Sequence, residues 1–115
     1  MRDTAAFKIL TADEMAMLER DGSFAGSDDD RRDGFIHLST AAQLTETIDK
    51  HYAGRANLHV AEVDLEALGD TIRWERSRGG QDFPHLYADL PLDAVVAYSP
   101  LERDGDGTVK LPVTG

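Results

Sequence analysis

The chain has 115 residues, 41% hydrophobic and 30% charged, a size and balance that suit one globular domain spanning residues 1–115. The absence of cysteine removes disulfides, thiolate catalysis and cysteine-ligated zinc. A formal net charge of −10 works against non-specific nucleic-acid binding, which needs basic surface, so affinity for an anion has to come from a local basic cluster.

The opening "MRDTAAFKIL" has no long apolar run and no cleavage-like pattern, and no segment is apolar for long enough to cross a bilayer; the expectation is a cytoplasmic protein without membrane contact. Ala5–Leu10, "AAFKIL", reads as a first strand. Thr11 and Glu14 have capping-box spacing and open a helix whose stripe contains Met15, Leu18 and Met17, closed by Gly22. "SFAGSDDDRRDG" reads as a solvated polar loop. "FIHLS" is a second strand, followed by a helix capped by Thr40 with Gln43 and striped by Leu44, Ile48 and Tyr52. Asn57–Leu65 and Thr71–Arg76 read as strands, "SRGGQDFPHLYADLPLD" as a long irregular link, and Ala94–Leu101 as the most apolar strand. "TVKLP" is expected to add a short edge strand, or to leave residues 103–115 as a tail. Strands clustered after two N-terminal helices point to an α+β fold with a split, mostly antiparallel sheet.

Two stretches hold the residues that could carry chemistry. In "FIHLS" the twofold strand period puts Phe35, His37 and Ser39 on one face and Ile36 and Leu38 on the other. His37 thus stands beside the helix start at Ser39 and Thr40, where free N–H groups favour anions. It reads equally well as a satisfied strand residue, with Ser39 and Thr40 acting only as caps. In "RWERSRGGQDFPHLY", Arg73, Glu75, Arg76, Ser77 and Arg78 precede Gly79 and Gly80, and Phe83, His85 and Tyr87 follow. Arginine grips phosphate or carboxylate with two parallel bonds, and paired glycines let backbone N–H groups approach a ligand. The alternation puts Arg73 and Glu75 opposite Trp74, which belongs to the core; a charged strand with a surface loop is the competing reading. No metal motif is present: His37, His51, His59 and His85 lack ligand spacing, and "SDDD" lacks the EF-hand pattern. No nucleophile elbow is present either.

"DGFIHLSTAAQ" and "RWERSRGG…FPHLYADLPLDAVV" together resemble a small bacterial family, the domain of unknown function 952, with similarity running from "FKILTADEM" to "LDAVVAYSPL". The family carries no established activity. Its resemblance extends to the ADP-ribosyltransferase-like fold near the RNA 2'-phosphotransferases, whose members also lead a His-Leu-Ser segment into a helix that lines an NAD pocket. This implies NAD as cofactor, a small anionic or nucleotide-like ligand as partner, and His37, Ser39 and Thr40 facing it. His85 and Tyr87 would close the site with His37, and Arg73, Glu75, Ser77, Arg78, Gly79 and Gly80 would bind. Lys8 stands where that superfamily presents a His or Arg, and its catalytic glutamate has no clear match; Glu75 and Glu102 take that place by default. The resemblance implies an NAD- or nucleotide-utilising transferase. A non-catalytic binder of an anionic small molecule and a protein-interaction domain are the competing readings. Oligomeric state is not legible.

Overall fold

In the computed structural model, which describes residues 3–112 and leaves the Arg78 side chain outside the description, alternation in the first strand decides the architecture. Strand β1 (Ala5–Thr11) is buried on both faces. Ala6 and Leu10 join one apolar cluster, while Phe7 and Ile9 join another. β1 pairs antiparallel with β4 (Leu58–Asp64), which pairs antiparallel with β8 (Val95–Pro100). A second antiparallel sheet has the order β3 (Ile36–His37), β6 (Asp82–Leu86), β5 (Ile72–Arg76). The two sheets touch through one bridge, Phe7 to Ser39, with backbone bonds of 2.7 and 2.9 Å. A two-residue pair, β2 (Ser23–Phe24) with β7 (Leu90–Pro91), completes the strands among the described residues.

Among the described residues four α-helices pack on these sheets, so the expectation of two is too few. Helix α1 (Ala12–Asp21) has the predicted Thr11–Glu14 capping box and ends at Gly22 in the left-handed conformation. Helix α3 (Ala41–His51) has the predicted Thr40–Gln43 box, and its Leu44 and Ile48 are buried beside half-buried Tyr52. Helix α4 (Leu65–Leu68) is a single turn after β4. Helix α2 (Asp28–Asp33) corrects the solvated-loop reading of residues 23–34. Ser27 and Asp30 form a third capping box there, and Asp30 is buried. The irregular link after Ser77 is also corrected, because it contains β6, the central strand of its sheet. Met17 is exposed rather than part of the apolar stripe. Beyond β8, an isolated Arg103–Val109 bridge replaces the expected edge strand, and Val109 seals the second cluster; residues 113–115 lie outside the described residues. No helix of the described chain is long and apolar enough to cross a membrane.

A proline within a central strand is unusual, because it cannot donate to the ladder. Pro84 is tolerated because its carbonyl, and therefore its missing N–H, faces β3. Leu38 N–H donates to the Pro84 carbonyl at 3.2 Å, the return bond is absent, and the β3 ladder stops at His37.

Lys8 lies on the same side of β1 as Ala6 and Leu10, facing the first cluster, and is 2% exposed. Such an ammonium persists only when paired. It donates to Asp30 Oδ2 at 2.8 Å and to the His37 carbonyl at 3.2 Å. Gly26 makes room for this carboxylate: a Cβ there would stand 2.8 Å from Asp30 Cβ, and its φ of +111° is closed to other residues. Gly34, by contrast, has φ +88° and nothing within 4 Å of an added Cβ. Gly26→Ala should therefore cost about 3 kcal/mol and Gly34→Ala about 1 kcal/mol in denaturant unfolding; equal costs would show that Asp30 has room to move.

Candidate functional site

The β3–β6–β5 sheet has two unlike faces because side chains alternate along each strand. One face carries Ile36, Leu86, Ile72 and Trp74 against the first cluster, which confirms the sequence reading of Trp74. The other carries His37 from β3, Phe83 and His85 from β6, and Arg73 and Glu75 from β5. The register places His37 opposite His85 and His85 opposite Arg73, so the three lie in one cross-strand row. Phe35 and Tyr87 extend this face beyond the row.

The two imidazoles approach edge to face with centroids 5.7 Å apart, and each is held by a carboxylate. His37 Nδ1 lies 2.6 Å from Asp30 Oδ1, and His85 Nδ1 lies 2.8 Å from Glu75 Oε1. An ionised carboxylate only accepts, so Nδ1 is the hydrogen-bearing nitrogen in both rings and Nε2 is left for other chemistry. His37 Nε2 faces Asp33 Oδ2 at 3.0 Å, a contact that becomes a hydrogen bond in the imidazolium form. The His37 side chain is 41% exposed, whereas His85 is 6% exposed beneath Phe35.

Asp30 is the node. Its Oδ1 accepts from the His37 backbone N–H and imidazole, and its Oδ2 accepts from Ser27 N–H and Lys8 Nζ. Burial alone would push this carboxyl upward; the His37 hydrogen bond and the Lys8 ammonium outweigh it and hold the carboxyl well below the usual carboxylate range. On the far side, Glu75 Oε1 also accepts from the Tyr87 hydroxyl at 2.6 Å. That hydrogen bond, then the one from His85, lowers the Glu75 carboxyl, and the same bond raises the Tyr87 phenol and keeps it a donor. The Arg73 guanidinium stands 4.8 Å over the Tyr87 ring.

The face thus brings together five of the residues expected from sequence: His37, His85, Tyr87, Arg73 and Glu75. Lys8 is corrected from ligand contact to a buried support, since its ammonium is spent on Asp30 and the His37 carbonyl. Ser39 and Thr40 are buried; the Ser39 hydroxyl bonds Thr47, and Thr40 caps α3. Ser77, Gly79 and Gly80 form the tip of the β5–β6 hairpin, where both glycines adopt φ +78° to close the turn. That tip begins beyond the Arg76–Asp82 pair, three pairs from the histidine row and roughly 10 Å along the strands. The backbone of Arg78 belongs to the same tip, while its side chain lies outside the description. Glu102 is exposed beyond β8, and its backbone carbonyl accepts from Lys110 N–H. Asp30, Asp33 and Phe35 join the site without being singled out by the sequence pattern; the local signal for Asp30 is the Ser27–Asp30 spacing, the same as at the starts of α1 and α3.

Because the Asp30 carboxyl is lowered in the folded state, its contribution to stability is complete above the ordinary carboxylate range, near pH 4, and is lost as the pH falls further. Carboxyl carbon shifts followed by NMR should show Asp30 still ionised at the lowest pH where the protein stays folded. An Asp30 midpoint near 4 would contradict the network.

The model of a protein family described as protein of unknown function (DUF952) matches residues 9–98, a stretch that includes Asp30, both histidines, Arg73, Glu75 and Tyr87. The crystal structure of protein CC0527 from Caulobacter crescentus is similar, with 43% identity, 93% of this chain and 94% of that chain covered, and a TM-score of 0.85. The solution NMR structure of CC0527 gives 44% identity, coverage of 93% and 91%, and a TM-score of 0.79. No curated protein matches. The family model spans the chain from β1 to β8, and the fold of CC0527 follows the chain over nearly its whole length: the chain belongs to the DUF952 family.

Proposed function

We propose that the histidine face binds an anionic, nucleotide-like ligand and that the protein is an NAD- or nucleotide-utilising transferase related to the ADP-ribosyltransferase-like enzymes. The observation that carries this reading is the row His37–His85–Arg73, in which two carboxylate-anchored imidazoles stand beside a guanidinium on a solvent-facing sheet. Arg73 supplies bidentate charge for phosphate. With Nδ1–H held by Asp30, His37 accepts a ribose hydroxyl at Nε2, or as the imidazolium donates Nε2–H to a phosphate oxygen in place of Asp33, and Tyr87 offers a ring for stacking. The substrate class is NAD or a 2'-phosphorylated or ADP-ribosylated nucleotide. The chemistry is glycosyl or phosphoryl transfer, with His37 and His85 moving protons and Arg73 holding the phosphate and, in phosphoryl transfer, stabilising the negative charge on its oxygens. A non-catalytic binder of the same ligand class is favoured by one feature, the cover that Phe35 places over His85.

The test is calorimetric titration of NAD, ADP-ribose and nucleoside 2'-phosphates into wild type, Arg73→Ala and His37→Ala. One charged hydrogen bond contributes roughly 1.5–3 kcal/mol, so each substitution should weaken binding about tenfold or more. Equal affinities in all three proteins would reject the face as the site. Release of nicotinamide from NAD, or loss of a 2'-phosphate, separates the transferase from the binder.

A further inference from the structure

The two nitrogens of His37 have unlike surroundings. Nδ1–H is taken by Asp30 Oδ1 inside the fold. Nε2 lies 3.0 Å from Asp33 Oδ2 at the surface, with the His37 and Asp33 side chains 41% and 36% exposed. The other Asp33 oxygen is engaged separately, by Arg32 Nε at 3.2 Å. Asp30 and Asp33 of α2 are the charged groups that face the ring; His85 of β6 stands beside it, and the Lys8 ammonium of β1 holds its carbonyl. In the neutral imidazole Nε2 is an acceptor, and so is Oδ2. Two acceptors then stand side by side at the surface with no hydrogen between them. A group that brings two donors to neighbouring points completes such a pair.

An ionised phosphate is not that group. Its oxygens bring no hydrogen, and it meets the like charge of Asp33, whose Arg32 partner is shared with Asp29. The vicinal hydroxyls of a ribose bring two donors and no charge, one O–H for Nε2 and one for Oδ2. The cation of the face stands at the other end of the row. Arg73 is two strand spacings from His37, roughly 10 Å, with His85 between them. In a nucleoside 5'-phosphate the diol and the phosphate occupy opposite edges of the ribose. Acceptors at one end of the row and a guanidinium at the other match that order.

We propose that Asp33 and His37 together read the 2',3'-diol of a ribose, with the phosphate directed to Arg73. This rests on the nucleotide reading of the face and narrows it in two ways. It decides between hydroxyl and phosphate at His37 Nε2 in favour of the hydroxyl. It also restricts the ligand to a nucleotide or dinucleotide whose diol is free, because a 2'-phosphate removes one donor and sets an anion against Asp33. Asp33 is thus a specificity-determining residue, and its carboxylate is the part of the site that tells ribose from deoxyribose.

The test compares wild type with Asp33→Ala and Asp29→Ala. Both changes remove one exposed carboxylate from α2, but only Asp33 touches His37. AMP, 2',3'-dideoxy-AMP and adenosine 2'-phosphate are titrated calorimetrically at pH 8, where neutral imidazole is favoured. Wild type should bind AMP about tenfold or more tightly than either analogue. Asp33→Ala should lose most of that preference, and Asp29→Ala should keep it. If Asp33→Ala tightens all three ligands alike, the proposal is overturned, because Nε2 then takes a phosphate in competition with Asp33. Equal loss of preference in both variants also overturns it, since charge alone is then responsible. A wild type that binds AMP and dideoxy-AMP equally overturns the diol pair and leaves the anion reading of the face standing. A wild type that binds none of the three rejects the nucleotide reading. Methyl riboside, followed through the His37 ring nitrogens by NMR, then decides the pair: shifts that disappear in Asp33→Ala support it, and no shift overturns it.

Discussion

A lysine on the core side of β1 and an aspartate from a six-residue helix form a buried ion pair, and the site depends on it. The Lys8 ammonium and the Asp30 carboxylate are each almost fully out of water, 2.8 Å apart. Neither charge tolerates that position alone, because desolvating an unpaired ion costs several kcal/mol. The pair therefore ties β1 to α2. The remaining oxygen of the same carboxylate then fixes the backbone and the ring of His37, so one side chain joins the core, a helix cap and the candidate site. Gly26 is the local consequence, because no side chain fits between it and Asp30.

The second constraint is the pleat of the smaller sheet. Ile36, Leu86, Ile72 and Trp74 must face the first cluster, and this alone turns His37, His85, Arg73 and Glu75 to the other side. The site is the reverse of a packed surface and inherits its rigidity. A one-residue slip of β3 or of β6 would send that strand's histidine into the core. The missing N–H of Pro84 ends the β3 ladder at His37, so that histidine stands at a strand end where α2 and its carboxylates can reach it.

Much of this was legible in the sequence, and the parts that were not share a cause. Alternation separates Phe35 and His37 from Ile36 and Leu38, and Trp74 from Arg73 and Glu75, as the structure does, because each face meets one environment; it fails for Ser39, which lies past the end of β3 and is buried against Thr47. Thr11–Glu14 and Thr40–Gln43 announced two helices. Ser27–Asp30 has the same spacing, but three aspartates in a row resemble a solvated turn, and composition outweighed the spacing. What made Asp30 a core residue was Lys8, twenty-two positions earlier, and no local pattern links them. Lys8 reads as a ligand contact only through the resemblance, which matches it to a superfamily His or Arg, whereas in the structure its ammonium is neutralised by Asp30. Strand β6 was hidden by Pro84 and by flanking turn residues, and only the shortness of β3 makes that proline acceptable. The Gly79–Gly80 pair read as a ligand loop, yet its left-handed geometry serves a hairpin tip.

The central claim is that Lys8 and Asp30 act as a unit that holds both the fold and the histidine face. A double-mutant cycle on Lys8→Met and Asp30→Asn, measured by denaturant unfolding at pH 7, tests it most directly. Each single change strands a buried charge and should cost about 3–5 kcal/mol, while the double variant should cost no more than the larger single one, a coupling of about 3 kcal/mol. Costs that simply add would contradict the account, because the two side chains would then stabilise the protein independently.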